Sequence, residues 1–229
     1  MGRESFLLPV TWEDEWPVIA DGRSHLEWEA PLTSPQLPLC GWTADLKRIE
    51  PRWLFLRQPD ESRYICSEDG LTLIPAGKIS SETGSPTMML VRPLDIHFTL
   101  EAEMAFDLCE DGDEAGVVMY ISCYGYYTVG VKMLDGQRVI AVTRSGGGPV
   151  PHPFPAPEGR VTFRIQAEKD CCHFSIAGED GVFCPVVTRP VFGRSEAGKC
   201  FTGTLFGVYA QHTAETQAQA RLLRFEMQP

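Results

Sequence analysis

Phe98-Thr99-Leu100-Glu101-Ala102-Glu103-Met104-Ala105-Phe106 is the stretch that decides the fold class. Phe98, Leu100, Ala102, Met104 and Phe106 fall on one side, with Thr99, Glu101 and Glu103 on the other. A strand with one dry and one wet face requires this period of two. Val161, Phe163, Ile165 and Ala167 alternate in the same way with Thr162, Arg164, Gln166 and Glu168. Near the end Leu223, Phe225 and Met227 alternate with Arg224 and Glu226. Strands are also expected over 63–66, 71–74, 116–121, 126–132, 139–143, 172–177 and 205–210. Asp135-Gly136 separates two of these, and a glycine that tolerates positive φ makes that pair a hairpin turn. No stretch keeps a helical period. The expected architecture is all-β, a two-sheet antiparallel β-sandwich of the jelly-roll kind.

Outward from these strands, the composition agrees. The 229 residues are 43% hydrophobic and 22% charged, enough for a sizeable core, and 21 glycines and 18 prolines suit many short strands joined by turns. The first forty or so residues read differently. Phe6-Leu7-Leu8-Pro9-Val10 is expected as one short strand, then comes the aromatic and acidic run Thr11-Trp12-Glu13-Asp14-Glu15-Trp16-Pro17. Pro31, Pro35 and Pro38 forbid a helix there and favour an extended connector. The chain is therefore divided into a connector, 1–45, and a sandwich domain, 46–229.

A net charge of −11, with no cluster of Lys and Arg, argues against nucleic acid as a partner. The longest apolar stretches, such as 117–121, are too short to span a bilayer, so no membrane association is expected. Met1-Gly2-Arg3-Glu4-Ser5 lacks the pattern of a secretory signal, so the chain is expected to be soluble and cytoplasmic. Its eight cysteines contain no C-x-x-C, and in that compartment they are expected as free thiols.

Motifs that carry chemistry are few. Gly146-Gly147-Gly148 is followed by Pro149, without the Lys-Ser/Thr and helix of a phosphate cradle, and reads as a flexible loop. Glu110-Asp111-Gly112-Asp113-Glu114 offers oxygens but lacks calcium-loop spacing, and reads as a solvated turn. The five histidines form no metal-binding pair, so neither a metal nor another cofactor is expected. Ser195, in Gly193-Arg194-Ser195-Glu196-Ala197-Gly198, misses nucleophile-elbow spacing by one residue and reads as a turn residue. Acidic residues are plentiful, yet nothing in the sequence sets two of them at glycosidase separation. Trp53 and Phe55 alternate in Arg52-Trp53-Leu54-Phe55-Leu56-Arg57-Gln58-Pro59, which puts both rings on one side of an extended segment. Such a pair is either core or a face on which sugar rings stack.

Gly2-Arg3-Glu4-Ser5-Phe6-Leu7-Leu8-Pro9-Val10-Thr11-Trp12, continued by Trp16-Pro17-Val18, closely resembles a segment of the two-domain β-xylosidases and α-L-arabinofuranosidases of glycoside hydrolase family 43. In that family this segment closes the catalytic propeller. The blocks Trp53 to Pro59, Ser85-Pro86-Thr87, His97-Phe98 and Glu114-Ala115-Gly116-Val117-Val118 resemble the family's C-terminal, concanavalin A-like β-sandwich domain. Phe201-Thr202-Gly203 through Gly207-Val208-Tyr209-Ala210 does so too. The resemblance runs in order along nearly the whole chain.

The resemblance implies that the family's catalytic carboxylates and central metal belong to a propeller preceding these blocks, so no catalytic and no metal-binding residue is carried onto this chain. The opening block then reads as a propeller remnant. In the family, a sandwich loop with aromatic side chains reaches the mouth of the active-site pocket, and that loop matches Trp53 and Phe55, the substrate-binding candidates. Leu54 departs from the Asn usual between them, and Arg221 stands where an acidic residue is usual. The expected function is a non-catalytic accessory domain that shapes the pocket of a xylan-degrading, β-xylosidase-type propeller, its principal partner. The alternative is an independent carbohydrate-binding module for xylo-oligosaccharides. A hydrolase in its own right needs a carboxylate pair that the sequence does not show. A propeller-facing surface left bare would be apolar and would favour a homo-oligomer.

Overall fold

The computed structural model describes residues 8–22, 40–93, 95–191 and 203–229, which fall in two compact units, 2–38 and 39–229. In the first unit β1 (Val10–Glu13) and β2 (Trp16–Ile19) form an antiparallel hairpin. The run read as connector thus turns back on itself. Asp14 and Glu15 both take positive φ, 47° and 69°, the geometry of a tight two-residue turn. Asp suits such a turn but Glu does not, which hid the hairpin from the sequence. The strand expected over residues 6–10 starts, among the described residues, only at Val10. The prolines at 31, 35 and 38 lie outside the described residues, as does Ser195.

The second unit is built from strands whose dry faces must meet. They are β3 (Trp42–Thr43), β4 (Tyr64–Ser67), β5 (Gly70–Leu73), β6 (Thr87–Val91), β7 (Phe98–Asp107), β8 (Glu114–Ser122) and β9 (Gly125–Leu134). Then follow β10 (Gln137–Arg144), β11 (Phe154–Pro155), β12 (Val161–Glu168), β13 (Cys171–Ala177), β14 (Cys184–Pro190), β15 (Leu205–Gln211) and β16 (Gln219–Gln228). They form two antiparallel sheets, a β-sandwich. One sheet has the order β11-β10-β9-β8-β15-β6; the other runs β14-β13-β12-β7-β16-β5-β4, with β3 also on β16. The expected two-sheet architecture is what the chain adopts.

The inward residues that the alternation identified on β7 and β12 lie on the core side. Leu100, Met104, Phe163 and Ile165 from the larger sheet pack with Val117, Met119, Val129 and Phe206 from the smaller one. Phe98 and Phe206 meet edge-on at 4.9 Å. One detail of the alternation fails at the C-terminal strand. Phe225 and Met227 point inward, but the register of β16 on β7 shifts between Leu222 and Arg224. Leu222, not Leu223, therefore fills the core position before Phe225. A bulge of this kind adds one residue to one strand and resets its faces.

The smaller sheet is covered on its outer side as well. Met88, Leu90, Val118, Tyr120, Tyr126 and Tyr209 form a second cluster there with Ile79, from the loop before β6. This explains why β6 is buried along its full length, Thr87-Met88-Met89-Leu90-Val91, and shows no alternation. No helix among the described residues is long and apolar enough to cross a membrane.

Candidate functional site

The loop between β3 and β4 carries both aromatic candidates. Trp53 N–H donates to the Glu50 carbonyl at 3.1 Å, closing a turn. Leu54 then bonds Leu90 of β6 in both directions, at 2.7 and 2.9 Å. A single residue thus extends the smaller sheet at its β6 edge, and the extended backbone puts residues 53 and 55 on the same side.

That side is the inner one. Trp53 is only 5% exposed; its indole meets Phe225 at 4.7 Å and Trp42 at 5.2 Å, both edge-on. Its Nε1–H is buried without an acceptor. Phe55 is half-buried and edge-on to Tyr64 at 5.1 Å. Tyr64 Oη accepts the Met88 N–H at 3.0 Å and donates to the Met88 carbonyl at 3.3 Å. Burial pushes the Tyr64 phenol up to about 12, so it remains a neutral donor at any ordinary pH. Leu54, between the two rings, faces out at 37% exposure.

Two arginines flank the pair. The Arg52 guanidinium lies 4.9 Å from the Trp42 ring centroid, and both line a recess with Arg92, Asp95 and Phe98. Arg57 has φ +55°, left-handed for a residue with a side chain. Its guanidinium donates to the carbonyls of Ser81 at 3.0 Å, Glu82 at 2.5 Å and Gly84. Arg57 thereby straps the aromatic loop to the loop that covers the outer side of the smaller sheet. Tyr126 adds a bond to Ser80, and Ile79 N–H donates to Gln211 Oε1 at 3.2 Å. The sequence places Arg57 beside the aromatics, but a partner some 25 residues away has no local signature.

Elsewhere the buried carboxylates are already engaged. Asp113 Oδ2 accepts the N–H groups of Cys109 and Glu110 at 2.9 and 2.8 Å, while Oδ1 lies 2.6 Å from His212 Nδ1. Asp113, in the acidic run expected to be a solvated turn, is in fact fully buried and pins that turn to the segment after β15. Glu114 Oε1 accepts from Tyr209 Oη at 2.5 Å, and Lys132 Nζ sits 3.6 Å from Oε2. On the outer face of the larger sheet Glu101 is shared by Arg164 and Arg224. No group of three or more metal-ligating side chains occurs among the described residues. None of the seven described cysteines forms a disulfide. The triple glycine has positive φ at all three positions, the geometry of an irregular loop.

Comparison with known proteins bears on this arrangement. Residues 45–228 match the family model described as the beta xylosidase C-terminal concanavalin A-like domain. A non-reducing-end α-L-arabinofuranosidase of Bacteroides ovatus is 28% identical over 226 residues, 92% of this chain and 42% of that protein. A xylan 1,3-β-xylosidase of a Vibrio species is 28% identical over 151 residues, 62% of this chain and 28% of that protein. Among solved structures, a xylan β-1,4-xylosidase of Bacillus halodurans superposes with a TM-score of 0.83 at 22% identity. It covers 100% of this chain and 47% of its own. The chain thus spans less than half the length of these relatives.

Proposed function

The chain belongs to the beta xylosidase C-terminal concanavalin A-like domain family, and from that premise we propose that it is the non-catalytic accessory part of a xylan-degrading glycoside hydrolase. Its partner is a catalytic propeller of the β-xylosidase type, whose substrate pocket it shapes. The observation that carries this reading is the hairpin. Val10, Trp12, Pro17 and Ile19 share one face through their pairing, and Val10, Trp12 and Ile19 are 47%, 71% and 53% exposed. An isolated two-stranded hairpin is marginal in water, and a wholly apolar face calls for a covering surface. The propeller supplies that surface.

In this reading the 52–57 loop forms a wall of the pocket. Phe55 presents the reachable part of its ring to the sugar, and Trp53 contributes from behind by fixing the loop in the core. A wall supplied by a second domain excludes water and orients substrate, effects of binding geometry rather than bond chemistry. The test is to mix the chain with the separately expressed propeller half of a related β-xylosidase and follow association by calorimetry. Complex formation weakened at least tenfold by Trp12→Glu is expected. No association at micromolar concentration, or association indifferent to Trp12→Glu, rejects the proposal.

A further inference from the structure

The outer face of the larger sheet carries a row of hydrogen-bonding side chains without a carboxylate, ammonium or guanidinium. Thr99 of β7 is paired with Gln166 of β12, Gln166 with His173 of β13, and His173 with Thr188 of β14. At about 4.8 Å between strands the row is roughly 14 Å long, about the length of three linked pyranose rings. His173 Nδ1 and Thr188 Oγ1 lie 3.0 Å apart, which fixes that end of the row and leaves the imidazole's other nitrogen unused by this bond. Gln166, His173 and Thr188 of this row form the floor of an open recess, also lined by Ser175, Phe183, Pro185 and Val186. A second recess, lined by His97, Thr99 and Lys169, shares Gln166 with the first and continues it across β7.

The chemistry of this groove selects a class of ligand. Its floor offers an amide, an imidazole and three hydroxyls, while Phe183, Pro185 and Val186 give one apolar wall. The Arg164 guanidinium stacks 3.4 Å from the Phe183 centroid and is paired with Glu101 at 2.5 Å, which holds the ring in place. Arg224 is likewise paired, with Glu101 and Glu226. An anionic ligand therefore meets no uncompensated guanidinium in the first recess; the second sets Glu168 beside Lys169, and a chain of net charge −11 disfavours an anion further. A neutral polyol has C–H faces for the apolar wall and hydroxyl edges for the floor. We propose that this groove binds a neutral, unbranched oligosaccharide laid across β7, β12, β13 and β14. The site is distinct from the Trp53–Phe55 loop, which borders β6 in the other sheet, and it goes beyond the pocket-shaping role.

Isothermal titration of the full chain with xylotetraose and cellotetraose, beside a galacturonate tetramer, tests the inference. Binding of at least one neutral oligomer is expected, with no heat from the charged one. Gln166→Ala and His173→Ala each remove a hydrogen-bonding group on the surface and are expected to weaken binding about tenfold. Thr188→Val preserves strand shape and is expected to weaken it several-fold, while Tyr124→Ala, at an exposed aromatic in the turn between β8 and β9 of the other sheet, leaves it unchanged. Circular dichroism of each variant confirms the unaltered fold. No binding of either neutral oligomer at millimolar concentration overturns the proposal. So does equal binding of the galacturonate, or binding lost with Tyr124→Ala but kept with His173→Ala.

Discussion

The indole of Trp53 meets the ring of Phe225 edge-on, with centroids 4.7 Å apart and an interplanar angle of 61°. A loop residue and the C-terminal strand are thereby joined in one core, and Trp42 completes the cluster. Truncating a buried aromatic of this size costs about 3–5 kcal/mol, whereas half-buried Phe55 has less to lose. Trp53→Ala is expected to lower the urea midpoint far more than Phe55→Ala. Trp53→Phe is expected to be mild for its lost volume, since it also removes the buried Nε1–H that finds no acceptor. A Trp53→Ala chain of unchanged stability refutes this placement.

Arg57 provides a second test of how the loop is held. Its three carbonyl acceptors all lie in residues 81–84, so Arg57→Ala is expected to raise amide exchange in 52–60 and 78–86 together. Lysine carries the charge without the planar fork and is expected not to restore protection. Arg57→Gly relaxes the positive φ yet loses the strap, so it too is expected to exchange faster. Exchange confined to 52–60 would show that the two loops are not coupled.

Sequence alone assigned both faces only for strands whose outer sides are wet, and the reason is physical. β7 and β12 each pack one face and solvate the other, so the pattern of Phe98 to Phe106 declares both faces at once. β6 is covered on both sides and reads as an undivided apolar run. β14 has prolines at 185 and 190, tolerated because it is an edge strand, and these concealed it. The candidate site was legible to the same degree. Alternation shows that Trp53 and Phe55 share a side, but not which side; that depends on Phe225, far along the chain, and on where the fold brings Trp42 and Tyr64. The row from Thr99 to Thr188 is invisible without the register of four strands.

Asp113 makes stability depend on pH at the acid end. Burial acts to raise its pKa, but the Glu110 and Cys109 N–H donors, with His212 and Thr216, outweigh it and hold the carboxyl below its ordinary value. A carboxyl depressed in the folded state stabilises above its unfolded pKa, and that contribution disappears as pH falls through the folded one. Urea midpoints are therefore expected to fall below about pH 4, the unfolded value of an Asp, and Asp113→Asn is expected to flatten that decline. An identical acid limb in the variant removes Asp113 as its source.

The cysteines differ in reactivity for reasons the structure makes plain. Burial, helped by neighbouring Cys171, pushes the Cys172 thiol up to about 12, whereas Cys40 and Cys184 are exposed. The thiolate is the reacting species, so at pH 8 Cys172 is expected to resist a disulfide reagent until the chain unfolds. Cys40 and Cys184 are expected to react in the native state. Mass mapping after brief labelling decides it, and early modification of Cys172 would contradict the burial.

Gly130 and Tyr209 offer a test of the smaller sheet's outer layer. A Cβ on Gly130 would lie 2.5 Å from Tyr209 Oη and 2.6 Å from the Ala115 carbonyl oxygen. Gly130→Ala is therefore expected to be destabilising, by about 1–3 kcal/mol as for other overpacked sites. Tyr209→Phe removes the clashing oxygen but leaves Glu114 without its 2.5 Å donor, a loss of about 1–3 kcal/mol for a buried acceptor. Because the two changes share the Tyr209 hydroxyl, the double variant is expected to cost less than their sum. It should not fully recover, since the Ala115 carbonyl remains in the way. Strict additivity in urea unfolding would mean that the Tyr209 hydroxyl does not lie over Gly130.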